Sequence, residues 1–295
     1  MIKVKNHTFT YPNGKGVFDL NFTVEEGEVM GYLGPNGAGK TTTIRGLLGF
    51  LPSKDGACTI NGLDCFSNAP KIQKILGYIP GESVFPEKMK ANEFLSFMNE
   101  MRGTKDKIRQ KQLMEMFEFQ PKGYIKKFSK GMKQKLAIVA AFMHDPKVII
   151  LDEPTSGLDP LMQNRFIELV LEEKRKGKTI LMSSHIFDEV ERTCENVLII
   201  KEGCIVASSD MVSLKNSQRN GFILKVDNEN EARTMLNNAG FEIEKAINGS
   251  LEVYIKGDAV DQFIKTIAKI KVLSLDVKAQ SLEDIFMHFY SGKGN

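Results

Sequence analysis

The octet Gly34-Pro35-Asn36-Gly37-Ala38-Gly39-Lys40-Thr41 fixes a strand–loop–helix unit near the start of the chain. Its spacing is GxxxxGK[ST], with the apolar run Val29–Leu33 before it and a helix-like segment after it. The glycines let the backbone curl until several N–H groups face inward at phosphate oxygens, and the helix behind adds its positive end. Lys40 supplies a mobile charge for β- and γ-phosphates, and the Thr41 hydroxyl is placed to bind Mg²⁺. The loop residues Gly34 to Gly39, with Lys40, Thr41 and Thr42, are the expected phosphate contacts.

Val148-Ile149-Ile150-Leu151-Asp152-Glu153 supplies the complement. An apolar strand ending in two carboxylates delivers them to the edge where open α/β sheets bind ligands. Asp152 is expected to hold the Mg²⁺ shell, and Glu153 to orient and polarise an attacking water. The two motifs together specify a P-loop NTPase.

Further out, Val17, Phe18, Leu20, Phe22 and Val24 form a strand candidate, and Ala57–Ile60 with the Asn61-Gly62 turn another. Over about 86–145 the apolar residues recur at helical spacing, which marks an all-helical insertion. Strand-like runs return at Val148–Leu151, Thr179–Met182 and Val197–Ile200, separated by helical patterns, as in a largely parallel sheet covered by helices.

The polar stretch Ser208–Gly221 reads as a junction, dividing the chain into domains at 1–215 and 220–295. The second part reads strand, helix, strand, strand, helix, strand, the order of a small α+β ferredoxin-like module. Asn248-Gly249 is its expected hairpin turn, and a final amphipathic helix is expected over Leu282–Tyr290, with a Ser281/Asp284 capping pattern. The Phe286, Phe289 and Tyr290 stripe on it fits packing better than a ligand site.

Composition excludes little beyond disorder. The apolar share of 42% and charged share of 26% match globular usage, and a net charge of +3 gives no reason to invoke nucleic acid. Cys58, Cys65, Cys194 and Cys204 form no CxxC pair and are expected to be buried free thiols. The N-terminus lacks an apolar signal core, and no run is long enough to span a bilayer, so a membrane role is expected to come through a partner.

Three further segments carry a family resemblance. Phe128-Ser129-Lys130-Gly131-Met132-Lys133-Gln134 resembles the signature loop of ABC ATPases. Asp152-Glu153-Pro154-Thr155-Ser156-Gly157-Leu158-Asp159-Pro160 resembles their joined Walker B and D-loop, and Ser183-Ser184-His185 their switch-histidine segment. The order is the family's, over about residues 1–210. The resemblance implies ATP as ligand, with Tyr11 stacked on adenine and His185 as a catalytic switch at the γ-phosphate. It also implies that Ser129 and Gly131 grip ATP held by a second ATPase subunit, in a homo- or heterodimer, and that Asp159 couples the two sites.

The chain departs from the family pattern at two places. Lys130 and Met132 replace the usual glycine and glutamine of the signature, and Gly81-Glu82 follows Leu76-Gly77-Tyr78-Ile79-Pro80 where a glutamine is usual. Both features resemble the branch of drug, antibiotic-resistance and lantibiotic-immunity ATPases that pair with separate transmembrane permease subunits. The resemblance thus implies a cytoplasmic ATPase that dimerises on ATP and powers an exporter from the inner face of the cell membrane. A soluble ABC ATPase acting on nucleic acid or ribosomes is the alternative, although the fused domains, long coiled coils or zinc ligands of such proteins are missing. A small-molecule kinase would lack the signature and D-loop. Six lysines lie between Lys122 and Lys135, and part of that run is expected to frame the nucleotide's charge.

Overall fold

The computed structural model describes residues 1–53, 56–86, 88–104, 106–216, 220–241, 243–247, 250–255 and 259–279. The Asn248-Gly249 turn and the expected helix over Leu282–Tyr290, with its cap and aromatic stripe, lie outside the described residues. Two compact units divide between Met211 and Val212.

The first unit opens with β1 (Ile2–Thr10) and β2 (Gly16–Val24), an antiparallel pair, followed by β3 (Val29–Leu33). Alternation of buried Ile2 and Val4 with exposed Lys3 and Lys5 suits β1 to a half-buried sheet. All five residues of β3 are buried, as befits a central parallel strand. Helix α1 (Lys40–Leu47) follows the glycine-rich loop, then β4 (Ala57–Ile60), β5 (Leu63–Asp64), α2 (Ala69–Ile72) and β6 (Leu76–Ile79).

The helical insertion comprises α3 (Ala91–Arg102), α4 (Ile108–Met116), a 3₁₀ turn (Ile125–Lys127) and α5 (Lys130–Phe142). Two arginines fasten it to the rest of the unit. Arg102 donates to the carbonyls of Gln73 and Leu76 at 3.0 and 2.8 Å, and to Nε2 of His144. Arg109 pairs with Glu172 at 3.0 Å and with the buried Glu173.

Strand β7 (Val148–Asp152), helix α6 (Pro160–Arg175), β8 (Thr179–Ser184), α7 (Phe187–Thr193), β9 (Asn196–Lys201) and β10 (Cys204–Asp210) complete the sheet. Its order is β10-β9-β3-β8-β7-β6, parallel except for β10. A separate antiparallel sheet runs β2-β1-β4-β5. Ile2, Val17, Leu20, Tyr32, Ile44, Leu47, Ile150 and Leu181 belong to one buried cluster that joins both sheets to α1. Each of its aliphatic side chains stabilises the fold by roughly 1.5–3 kcal/mol relative to exposure.

The structure corrects one expectation, on the cysteines. The division between Met211 and Val212 falls inside the stretch Ser208–Gly221 read as a junction, in which Ser208–Asp210 end strand β10 and Met211–Asn216 form helix α8. Pairing with apolar β9 supplies the backbone bonds that its own side chains do not advertise. Cys58, Cys65 and Cys194 are buried free thiols, but Cys204, the first residue of β10, is exposed. Burial pushes the Cys58 thiol up to about 12.

The second unit contains β11 (Asn220–Val226), α9 (Glu229–Asn238), β12 (Ile243–Ile247), β13 (Ser250–Ile255), α10 (Val260–Ile267) and β14 (Val272–Ala279). Its antiparallel sheet has the order β12-β13-β11-β14, the arrangement of a split β-α-β fold. Phe222, Leu224, Leu236 and Phe263 lie in its buried core.

Candidate functional site

Strands β3, β8 and β7 are hydrogen-bonded neighbours, so the three segments that follow them emerge side by side at their carboxyl ends. That register brings together residues far apart in the chain. The Thr41 hydroxyl, in the first turn of α1, donates to Oδ2 of Asp152 at 2.8 Å. Ser183, near the end of β8, donates to the other carboxylate oxygen at 2.5 Å. Asp152 is thus a buried carboxylate held by two hydroxyls, presented at the phosphate loop.

The loop is shaped by its backbone. Gly39 has φ +114°, a conformation that residues with a side chain rarely adopt, and it caps the start of α1 there. The buried Lys40 side chain folds back over the loop, donating to the carbonyls of Gly34 and Pro35 at 2.5 and 3.2 Å. Its Nζ lies 3.8 Å from Oε1 of Glu153. Burial holds the ammonium below the usual lysine range, with Glu153 and Asp152 pulling the other way.

Glu153 carries a feature that no motif advertises. Its backbone sits in the left-handed region at φ +46°, which costs on the order of 1–3 kcal/mol for such a residue. Its N–H donates to the carbonyl and hydroxyl oxygens of Ser183 at 3.1 and 3.3 Å, which holds the conformation in place. The carboxylate has Lys40 on one side and His185 on the other. Nδ1 of His185 lies 3.4 Å from Oε2 of Glu153, and its side chain is 55% exposed.

A cleft of about 410 Å³ opens over the loop. Tyr11, Pro35, Asn36, Gly37, Gly39, Lys40, Thr41, Thr42 and Glu153 line it, as do Asn13, Lys15 and Gly16, which the sequence motifs do not single out. The signal for these three is the Tyr11-Pro12-Asn13-Gly14 turn, closed by a bond from Gly14 N–H to the Tyr11 carbonyl at 2.9 Å. Tyr11 itself packs edge-on against Phe9 and accepts from Arg45 at 3.3 Å. Gly34 and Ala38 belong to the loop without lining the cleft, and Gly34 instead backs onto Ile200.

Ser129, Gly131 and Asp159 do not line the cleft of their own chain. Ser129 caps α5, its hydroxyl accepting from Met132 N–H at 3.2 Å, and Asp159 caps α6, accepting from Met162 N–H at 3.0 Å. None of the six lysines between Lys122 and Lys135 lines the cleft either. Lys130, which stands where the family has glycine, donates to the Ser156 hydroxyl at 2.8 Å.

The donor set fits a hard divalent cation. Thr41 and Asp152 offer a hydroxyl and a carboxylate oxygen in contact with each other, the oxygen chemistry that Mg²⁺ prefers. A β-carbon added at Gly81 would lie 3.3 Å from Asp152 Oδ2, so that position adjoins the same carboxylate without a side chain to contribute. Glu82 is exposed.

The chain is similar to known proteins in both sequence and fold. A family model described as ABC transporter matches residues 17–156. The ABC transporter ATP-binding protein NatA of Bacillus subtilis is 38% identical over 213 residues, covering 70% of this chain and 86% of that protein. The bacitracin transport ATP-binding protein BcrA of Bacillus licheniformis is 34% identical over 300 residues, covering 99% and 98%. A solved ATP-binding subunit of an ABC transporter superimposes with a TM-score of 0.67 at 32% identity, over 73% of this chain and 92% of that one.

Proposed function

The chain belongs to the family of ABC transporter ATP-binding proteins, and on that premise we propose that it powers a separate membrane permease exporting a drug, peptide or antibiotic. As a member of that family it binds ATP and hydrolyses it to ADP and phosphate. The observation that carries the site reading is the convergence of Lys40, Thr41, Asp152, Glu153 and His185 where β3, β7 and β8 end.

The phosphate loop binds the triphosphate through its backbone N–H groups, and Lys40 turns from the loop carbonyls to the β- and γ-phosphates. Tyr11 supplies an aromatic face for adenine at the cleft wall. Thr41 and Asp152 would hold Mg²⁺, which would supply positive charge against the phosphate oxygens. Glu153 polarises the attacking water, and His185 donates to the γ-phosphate beside it. Ser129 and the Gly131 N–H, at the start of α5 and away from their own cleft, serve the nucleotide of a second ATPase subunit. Asp159 couples the two sites across that junction.

Export is supported by BcrA, a relative that spans nearly the whole chain and is described as a bacitracin transport ATP-binding protein. Both that protein and NatA are described as ATP-binding proteins, which supports a permease carried on another chain and a peripheral place for this one at the inner face of the membrane. Among the described residues no helix is long and apolar enough to cross a membrane. The reading on nucleic acid has no support among these relatives. Affinity purification of the tagged chain from detergent-solubilised membranes tests the proposal. Recovery of a polytopic membrane protein in stoichiometric amount is expected, and recovery with ribosomes or nucleic acid instead would overturn it.

A further inference from the structure

We infer that Glu189 is a positioning residue for ATP hydrolysis, its buried carboxylate fixing Glu153 and His185 relative to each other. The inference rests on the reading of those two residues as general base and switch. Glu189 lies in α7 and is 2% exposed, as are Thr155 and Ser184. Its Oε1 accepts from the Thr155 hydroxyl, and its Oε2 accepts from the Ser184 hydroxyl at 3.0 Å.

Those two hydroxyls belong to different catalytic segments. Thr155 is two residues beyond Glu153. Ser184 immediately precedes His185, and its Oγ also accepts from Ile186 N–H at 2.9 Å, closing a turn with His185 at its centre. The Ser184 proton goes to Glu189 in preference to the more distant Ile186 carbonyl at 3.4 Å, which leaves the oxygen lone pairs for that turn. The result is a ring of contacts from Glu153 through Thr155, Glu189 and Ser184 to His185, closed by the 3.4 Å approach of His185 to Glu153.

A carboxylate is a costly choice for a site whose only need is to fill space. Burial pushes Glu189 above the usual carboxylate range, opposed by its bonds to Thr155 and Ser184 and by nearby His185. A leucine would fill the volume without that desolvation. What the carboxylate adds is two acceptors on one rigid group, able to hold two hydroxyls at a fixed separation. Neither hydroxyl lines the nucleotide cleft, so the arrangement acts on turnover rather than on nucleotide binding.

The test is a comparison of kcat with ATP affinity in the full-length protein. Glu189→Ala is expected to lower kcat about 10–100-fold, since ångström-scale misplacement costs that much, while calorimetric ATP affinity stays at the wild-type level. Glu189→Gln, which keeps one acceptor and the side-chain shape and can donate to the other hydroxyl, should be faster than Glu189→Ala. Thr155→Val should reproduce the loss, and the double variant Thr155→Val/Glu189→Ala should be no slower than Glu189→Ala alone.

Wild-type kcat in Glu189→Ala, or parallel losses of rate and affinity, would overturn the inference. Additive losses in the double variant would do the same. If Glu189→Ala does not fold, Thr155→Val carries the same kcat-only expectation and decides the matter. An inactive Glu153→Gln beside a fully active Glu189→Ala sinks the Glu189 role alone, whereas an active Glu153→Gln overturns the base reading together with it.

Discussion

Nζ of Lys40 lies 3.8 Å from Oε1 of Glu153, so the charge proposed for the γ-phosphate and the carboxylate proposed for its attacking water already face each other. The contact joins distant parts of the chain, and it exists because β3 and β7 both pair with β8.

Replacing Glu153 with glutamine keeps the shape and removes the base. Turnover should fall by roughly 10²–10⁴-fold, with ATP still bound. Under the proposed arrangement the nucleotide-bridged dimer then persists, and light scattering should show an ATP-dependent doubling of mass. Near-wild-type hydrolysis would take Glu153 out of that role.

Lys40→Ala removes the loop's only buried ammonium among the described residues. ATP affinity and hydrolysis should both drop, as measured by calorimetry and phosphate release. Unchanged affinity would contradict the phosphate-loop assignment.

Glu82 is exposed, while its neighbour Gly81 backs directly onto Asp152. A second carboxylate at the metal would add negative charge beside a triphosphate, so Glu82 is better suited to contact the permease. Glu82→Ala should leave the ATPase of the isolated subunit intact and impair transport in reconstituted vesicles. Loss of hydrolysis as severe as in Glu153→Gln would place Glu82 at the metal instead.

The two units invite a cut between them. A chain ended near Ser217 retains the first unit, with its own core and the whole cleft. It should fold and bind ATP with the affinity of the full chain. A soluble truncated protein that binds no nucleotide would show the domains at 1–215 and 220–295 to be wrongly drawn.

His144 predicts how stability depends on pH. Burial and the adjacent Arg102 hold its folded pKa at about 4, below the ordinary 6.5. Burial and the adjacent guanidinium both disfavour a second positive charge there, so the folded ring stays neutral until the pH nears about 4. The unfolded chain therefore binds a proton first. Stability from this group is complete above the ordinary pKa of 6.5 and declines as pH falls from there through about 4. His7, also lowered by burial, acts in the same sense. The melting temperature of His144→Gln should fall less steeply across that window than that of the wild type. Parallel curves would refute the assignment.

Much of the site is legible in the sequence because it is written in contiguous segments. The loop Gly34–Thr41, the acidic pair Asp152-Glu153 and the triplet Ser183-Ser184-His185 each carry their chemistry in neighbouring residues, and the strands before them are mainly apolar. What escapes depends on tertiary register or on dihedral angles. Glu189 is an ordinary helical glutamate until β7 and β8 bring Thr155 and Ser184 to it. The left-handed backbone of Glu153 has no glycine or asparagine to announce it. Strand β1 is hard to read although Ile2 and Val4 alternate with lysines, because an irregularity at Asn6, φ +48°, breaks the pattern. Strand β10 has little apolar character, and its partner rather than its composition makes it a strand.

The placement of β3 between β8 and β9 has a consequence for how the protein comes into being. A ribosome delivers the phosphate loop early, but its neighbours in the sheet are synthesised only after the entire helical insertion. Such distant pairing is slow to form, and until it forms the loop has no Asp152 or Glu153 beside it. ATP binds the finished arrangement and not its precursors, so every bound molecule withdraws chain from the unfolded pool by mass action. Bound nucleotide thus adds to the stability of the fold by an amount set by its concentration relative to its Kd.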